Sequence, residues 1–457
     1  MHEKQISLQR GLKSRHIHLM SLGGTIGTGL FLGSAQVIQS SGPGIILGYA
    51  IVGCIASFIT RQICEMAVAE PVAGTLSYFA YKYYGNFAGF VSGWNYWVLY
   101  ILVAMTELTA IGQYIQFWYP SIPTWMSAAL FLIFINIVNL MHVRVFGEIE
   151  FWLCMIKIIS VLGMILFGFF MLLSNYAGSH ATISNLWQYG GFLPHGYNGL
   201  FIMMPIIMFS FGGLELIGMT AAEAAQPNIN IPRATNQLIY CILFFYICSL
   251  TILLALRPWS QVTSSISPFV VIFHQLDDQA VATIFNMIVL AAALSVYNSC
   301  VYCNSRMLFS LAQQGNAPSF LWRLNRHGVP TRSILFSAVA TTLCLLLNYY
   351  LPNKTFILFM ALTVSALVLN WTMITLVHIK FRRTINHIYI KEQYFFRTLF
   401  YPFRNWLCLL FMVWIVIQLS IQPNMVLSVW LIPVWICVLS IGYWIKILHT
   451  TRYEKIT

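Results

Sequence analysis

The sequence predicts an all-α polytopic membrane protein of twelve transmembrane helices, ordered as a five-plus-five inverted repeat with broken first and sixth helices and two helices appended. Three observations predict it. Hydrophobic residues make up 59% of the chain and charged residues 8%, with a mean hydropathy of +0.76, whereas soluble domains carry about 25% charged residues. Apolar runs long enough to cross a bilayer recur from end to end, separated by short polar breaks. Two of these runs, the first and the sixth, are interrupted by glycines.

The spans are read at about 17–39, 43–66, 87–116, 124–141, 146–173, 197–221, 234–256, 279–311, 332–350, 355–379, 403–421 and 427–448. The whole chain, 1–457, is then one transmembrane domain, with a first repeat at 16–173, an inverted second repeat at 197–380 and two accessory helices within 403–448. Met1–Arg15 is polar and basic, without an apolar core or cleavage site behind it, so no cleaved signal peptide is expected. The net charge of +12 is topological: 21 of the 24 Lys and Arg fall on one set of alternate breaks. Only Arg257 and Lys354 lie opposite, and Lys157 is inside a span. The positive-inside rule then places both termini in the cytoplasm, and the charge gives no reason to expect nucleic acid as a partner.

In the first span, Gly23-Gly24-Thr25-Ile26-Gly27-Thr28-Gly29-Leu30-Phe31 contains four glycines, which weaken a helix. An interrupted helix in hydrocarbon needs protein, water or a bound solute to satisfy its backbone. Exposed amides suit a carboxylate and exposed carbonyls an ammonium. The alternative is that small residues let a neighbouring helix approach. The spacing fits neither a dinucleotide fingerprint nor a P-loop.

Gly42-Pro43-Gly44 turns the chain into the second span, and Glu65, Glu70-Pro71 and Gly74 read as a short connector. The third span is aromatic, with Trp94, Tyr96, Trp97 and Tyr100, then Glu107. Gln116–Pro123 is uncharged, as an outer loop can be. The fifth span begins near Glu148 and Glu150 and contains Lys157; the uncharged outer loop Ser174–Gly196 follows. The sixth span carries the second interruption, Phe209-Ser210-Phe211-Gly212-Gly213-Leu214-Glu215. Five spans separate the starts of the two interrupted ones, and five being odd, the second set enters from the opposite face. Paired interruptions at corresponding positions of two halves point to a transporter's binding site. A basic linker, Lys380–Arg404, leads to two uninterrupted spans expected to be peripheral.

Ionisable groups at bilayer depth are costly and normally face a cavity or a partner. Glu107 and Glu215 read as the carboxylates well inside spans, and Lys157 as the interior lysine. Glu215 follows the Gly-Gly break, where it either holds the break open or carries a proton; Glu107 either pairs with another helix or titrates. Lys157 either loads a proton, stands where a coupling cation would bind, or pairs with Glu148 or Glu150 near the membrane face. No enzymatic constellation emerges: there is no HExxH, GxSxG or acid pair at hydrolase spacing. His16, His18 and His142 lie at span ends and His195 and His274 in outer segments, so neither a metal site nor a cofactor is expected. The ten cysteines read as buried thiols, the Cys300–Cys303 pair included.

The runs GLKSRHIHLMSLGGTIGTGLFL (Gly11–Leu32), EPVAGTLSY (Glu70–Tyr78), GWNYWVLYIL (Gly93–Leu102), FSFGGLE (Phe209–Glu215) and SVYNSCVYCNSRMLFSLAQQG (Ser295–Gly315) resemble the amino acid–polyamine–organocation permease superfamily. The likeness is to its bacterial amino acid transporter branch, nearest to the permeases for aromatic amino acids, and covers essentially the whole chain. It implies alternating access and proton-coupled uptake of phenylalanine, tyrosine and tryptophan across the bacterial inner membrane. It also implies roles for residues at matching positions. Thr25, Gly27, Thr28 and Gly29 match the first-helix carboxylate loop. Phe209 matches an aromatic gate, and Gly212 and Gly213 the sixth-helix break near the ammonium. Lys157 matches a lysine at the sodium position of sodium-coupled relatives. Tyr100 lies on the helix facing the substrate side chain, and Glu107, Glu215 and Lys157 are the candidate proton carriers. The expected partners are aromatic L-amino acids, protons and membrane lipid, with no obligatory protein partner. The alternatives are a narrower permease, for phenylalanine or another neutral amino acid, and a membrane amino acid sensor. Against a sensor stand the short flanks Met1–Arg15 and Thr450–Thr457. An intramembrane enzyme, the third class, lacks catalytic groups.

Overall fold

With so few polar side chains, the backbone must satisfy itself within each segment, and a helix does so in lipid. The computed structural model describes residues 24–454 except 73, 142, 175–180, 220–225, 263–266, 271–278, 327, 353 and 389–395. Gly23, His16, His18, His142, His274 and the run Met1–Arg15 lie outside the described residues. The described residues form helices and no strand. In order these are α1 (Ser34–Ser41, preceded by a π-turn at Gly29–Gly33), α2 (Ile45–Ala69), α3 (Thr75–Tyr84), α4 (Asn86–Gln116), α5 (Thr124–Leu140) and α6 (Val143–Ser174). There follow α7 (Gly196–Phe209), α8 (Pro227–Leu256), α9 (Gln279–Gln313), α10 (Thr331–Tyr350), α11 (Thr355–Ile388), α12 (Phe403–Ile421) and α13 (Val426–Glu454).

Nine stretches among the described residues are long and apolar enough to span a bilayer, and one of them, Gly29–Ala69, is two spans joined at Gly42-Pro43-Gly44. The shorter apolar helices α5 and α7 bring the crossings to twelve, the number read from the sequence. The short helix α3 is additional and occupies what the sequence suggested was connector. Glu65, also assigned there, instead lies in the last turns of α2 and is buried.

The bundle is organised around α4, which packs against α9 and α11. Its most apolar window is 72% buried, whereas that of α13 is 11% buried. Polar side chains point inward and join helices. Asn95 Nδ2 donates to Asn370 Oδ1 at 2.9 Å, Asn136 Nδ2 to Tyr297 Oη at 2.9 Å, and Asn139 Nδ2 to Asn298 Oδ1 at 2.8 Å. Between membrane helices such bonds contribute about 0.6 kcal/mol each, and leaving the groups unpaired would cost more. Of the two helices expected to be peripheral, α13 is the lipid-facing one; α12 packs against α2, α7 and α11.

Candidate functional site

The two interruptions meet in the middle of the bundle. In the first, Gly24–Gly27 is turn and bend, and regular helix begins only beyond the π-turn. The second falls at Gly212 and Gly213; Pro205, inside α7, leaves the ladder without a donor one turn before Phe209 but does not end the helix. The helix stops at Phe209, runs through turns, and resumes for one turn at Leu216–Met219. Gly213 has φ +99°, and a β-carbon there would lie 2.6 Å from the Gly24 carbonyl oxygen. A β-carbon on Gly29 would lie 2.7 Å from Cα of Ser210. The crossing is therefore backbone against backbone, an approach that only glycine permits.

The carbonyls released by the breaks have donors. Tyr246 Oη on α8 sits 2.9 Å from Thr25 O and 2.8 Å from Ser210 O, sharing its proton between the two interruptions. Tyr49 Oη on α2 lies 2.9 Å from Ser210 Oγ and 3.4 Å from Gly29 O. Its ring packs edge-on against Tyr246, centroids 5.3 Å apart. Lys157 Nζ, fully buried on α6, donates to Ile26 O at 3.2 Å. Sequence reading missed both tyrosines. The available signal was that each sits on the span immediately following an interrupted one.

Carboxylates close the site from two sides. Glu107 on α4 accepts through Oε1 from Thr28 Oγ1 at 2.9 Å and Thr28 N–H at 3.4 Å, while Oε2 is buried with no described hydrogen-bond partner. A carboxylate near the start of the α1 half-helix is where the helix dipole favours negative charge. Tyr100 Oη, about two turns earlier on α4, donates to Glu215 Oε1 at 3.4 Å, and its ring packs tilted against that of Tyr96 with centroids 4.8 Å apart.

A narrow cavity lies among these groups. It is lined by seven of the expected substrate residues, Thr25, Gly27, Gly29, Tyr100, Phe209, Gly212 and Gly213, together with Glu107. Thr28, Glu215 and Lys157 stand one contact behind, through Glu107, Tyr100 and the Ile26 carbonyl respectively. Gly24 and Ser210 of the two interruptions line it too, and the sequence did not point to Val103, Leu216, Val296, Ser299, Cys300 and Thr363, which complete the wall. They are ordinary residues within apolar helices, and only the packing turns them inward. A mostly apolar wall with a few convergent polar groups is the make-up of a small-molecule site.

Glu150 departs from expectation. Instead of lying at the membrane face, it is fully buried, accepting from Ser295 Oγ and Ser299 Oγ through Oε1 and from Asn298 Nδ2 at 2.8 Å through Oε2. α9 thus gathers its polar groups around this carboxylate.

One prediction arises from the wall itself. A β-carbon on Gly27 would meet Glu107 Oε1 and Val296 Cγ2, each at 2.8 Å. Both are side-chain atoms able to move, so Gly27→Val should insert and fold, yet displace Glu107 into the cavity and abolish substrate binding. Isothermal titration of the purified variant checks this; an affinity equal to wild type would remove Gly27 from the site.

Comparison with known proteins settles the family. Residues 16–454 match the family model described as amino acid permease. The chain belongs to the amino acid permease family. It is 64% identical to the aromatic amino acid transport protein AroP of Salmonella typhimurium (strain SL1344), over 96% of each chain. It is 63% identical to AroP of Escherichia coli (strain K12), again over 96% of each. The uncharacterized amino acid permease YtnA of Bacillus subtilis (strain 168) is 39% identical over 98% of this chain and 97% of its own. In structure, the permease is similar to a manganese transporter of Eremococcus coleocola crystallised with an aromatic bis-isothiourea compound. The TM-score is 0.59 with 96% and 95% of the two chains covered, and at 10% identity the likeness is one of fold alone. As a member of this family the chain is a multi-pass transport protein and not an enzyme, in keeping with the absence of catalytic motifs from its sequence.

Proposed function

We propose that this permease imports phenylalanine, tyrosine and tryptophan together with protons across a bacterial inner membrane, both termini lying in the cytoplasm. The observation that carries the reading is the Glu107 carboxylate, docked on Thr28 at the rim of a cavity that the two broken helices share. An amino acid entering there brings its own carboxylate to the glycine-lined turn around Gly27 and Gly29. Two carboxylates cannot both remain ionised at close range in a low dielectric, so a proton enters with the substrate and resides on Glu107. The ammonium would face the carbonyl side of the sixth-span break at Phe209–Gly213, and the ring would lie against Tyr100, Val103 and Phe209. Identity above 60% to transporters named for aromatic amino acids supports that substrate class. We further read 16–173 and 197–380 as the two inverted repeats, whose relative rocking exposes the cavity to each side in turn.

The test is uptake of labelled phenylalanine into proteoliposomes, with the twenty amino acids as competitors and the driving gradient varied. Competition by tyrosine and tryptophan, drive by a pH step, and indifference to sodium are expected. Competition by phenylalanine alone would replace this reading with a narrower permease.

Tyr100 provides a finer expectation. Its hydroxyl donates to Glu215 while its oxygen can still accept from an indole N–H or a phenol O–H of a substrate, so Tyr100→Phe removes a hydrogen bond of about 0.5–1.5 kcal/mol net and leaves a buried carboxylate oxygen short of a donor. Affinity for tryptophan and tyrosine, whose polar ring groups need a partner, should fall more than that for phenylalanine. Inhibition constants for the three substrates measure this, and equal losses would show that Tyr100 only packs.

A further inference from the structure

An apolar stripe on α2, away from the central cavity, ends in two arginines with no balancing acid among the described residues. Leu47, Ile51, Cys54, Phe58 and Arg61 recur at three- and four-residue spacing and are exposed or half-buried. α8 and α12 also pack on α2. Arg61 reaches Asn236 Oδ1 of α8 at 3.4 Å, and its guanidinium lies 4.7 Å from the Phe396 ring centroid. Arg404, in the first turn of α12, lies 4.5 Å from the Phe58 ring centroid and 5.1 Å from that of Phe400. Arg61 follows Phe58 by three residues, one turn along the same face of α2, so the two cations are neighbours around that ring. The nearby carboxylate, Glu65, is already bound by Arg382 Nε at 2.7 Å, His378 Nε2 at 3.1 Å and Thr398 N–H at 2.7 Å. Nε of Arg61 is buried without a hydrogen-bond partner.

Like charges held together over aromatic rings, partly withdrawn from water, repel unless an anion joins them. The arginines lie on the membrane face that carries the Lys and Arg excess, the cytoplasmic one by the positive-inside rule. We propose that Arg61 and Arg404 bind the phosphate of an anionic phospholipid of the cytoplasmic leaflet, with an acyl chain along the Phe58–Cys54–Leu47 stripe. A planar guanidinium pair suits phosphate oxygens. From Arg61 to Leu47 the stripe is about 21 Å long at 1.5 Å per residue, enough to cross the ~15 Å of hydrocarbon in one leaflet. Phe400, whose ring Arg404 faces, and Phe403, its chain neighbour, are 72% and 69% exposed, as rings at a lipid interface can be. A zwitterionic lipid fits less well, because among the described residues no carboxylate beside the two arginines stands ready for its ammonium.

The test uses the full-length permease in detergent, titrated with phosphatidylglycerol, phosphatidylethanolamine or inorganic phosphate, and read by native mass spectrometry and thermal unfolding. Wild type should bind phosphatidylglycerol about thirtyfold more tightly than phosphatidylethanolamine, since each arginine near the surface adds a similar small increment. Arg61→Gln/Arg404→Gln should lose that preference, and Arg332→Gln, an exposed arginine on α10 away from the stripe, should keep it. Where the double variant does not fold, each single variant carries the same test, with about a fivefold loss expected. Equal binding of the two lipids by wild type, or an undiminished preference in the variants, overturns the proposal. Stabilisation by inorganic phosphate equal to that by phosphatidylglycerol overturns it too, assigning the arginines to a free anion.

Discussion

Gly213→Ala is expected to abolish substrate binding and uptake. At φ +99° an L-residue is strained by about 1–2 kcal/mol. The larger effect is steric: the new methyl would lie 2.6 Å from the Gly24 carbonyl oxygen, and that atom belongs to backbone which cannot swing aside as a side chain does. Relief requires the two interruptions to separate. Separation pulls Ser210 O and Thr25 O away from the Tyr246 hydroxyl that both share, leaving buried carbonyls unsatisfied. Binding should therefore fall by at least a hundredfold, while the remaining helices still pack. Gly29→Ala faces a comparable barrier at Ser210 Cα and should behave alike, whereas Gly163→Ala, with open space around its position, should be silent. Equilibrium binding on all three purified variants measures this. Near-normal affinity in Gly213→Ala would mean that the observed crossing of the breaks is not the binding conformation.

The second large effect concerns energy coupling. If the transported proton rides on Glu107, Glu107→Gln keeps the acceptor oxygen for Thr28 but cannot gain or lose a proton. The variant should still bind and exchange substrate, yet accumulate none against a gradient. One proton per substrate and a pH step of one unit give about tenfold accumulation at equilibrium, and the expected value for the variant is no accumulation. Lys157 is the rival carrier. Its ammonium holds the Ile26 carbonyl in the first break, so Lys157→Gln weakens the site whether or not the lysine titrates. Lys157→Arg separates the roles, because arginine keeps the charge but does not release its proton. Proton-driven accumulation in Lys157→Arg together with none in Glu107→Gln assigns the carrier to Glu107. The reverse assigns it to Lys157, and accumulation by both variants moves it to Glu215. Imposed pH steps across proteoliposomes, without sodium, distinguish these results.

Much of the architecture was written in the order of residues. Membrane helices declare themselves locally, because hydrocarbon demands a continuous apolar run and a self-satisfied backbone. The twelve crossings, the two interruptions and the family were therefore legible. So were the glycines of the breaks and the three ionisable groups Glu107, Lys157 and Glu215, since each violates a local rule that lipid enforces. What the sequence misplaced were groups whose surroundings come from distant segments. Glu150 looked like a residue at a membrane face, and only the packing of α6 on α9 surrounds it with serine and asparagine donors. Glu65 looked like part of a connector, and only the approach of α11 and the segment before α12 makes it a buried acceptor. Tyr49 and Tyr246 are unremarked aromatic residues until the bundle carries their hydroxyls to carbonyls twenty or more residues away. An interruption thus reveals that a backbone needs partners. Which side chains supply them is decided by helix rotation and packing, and those depend on the whole bundle.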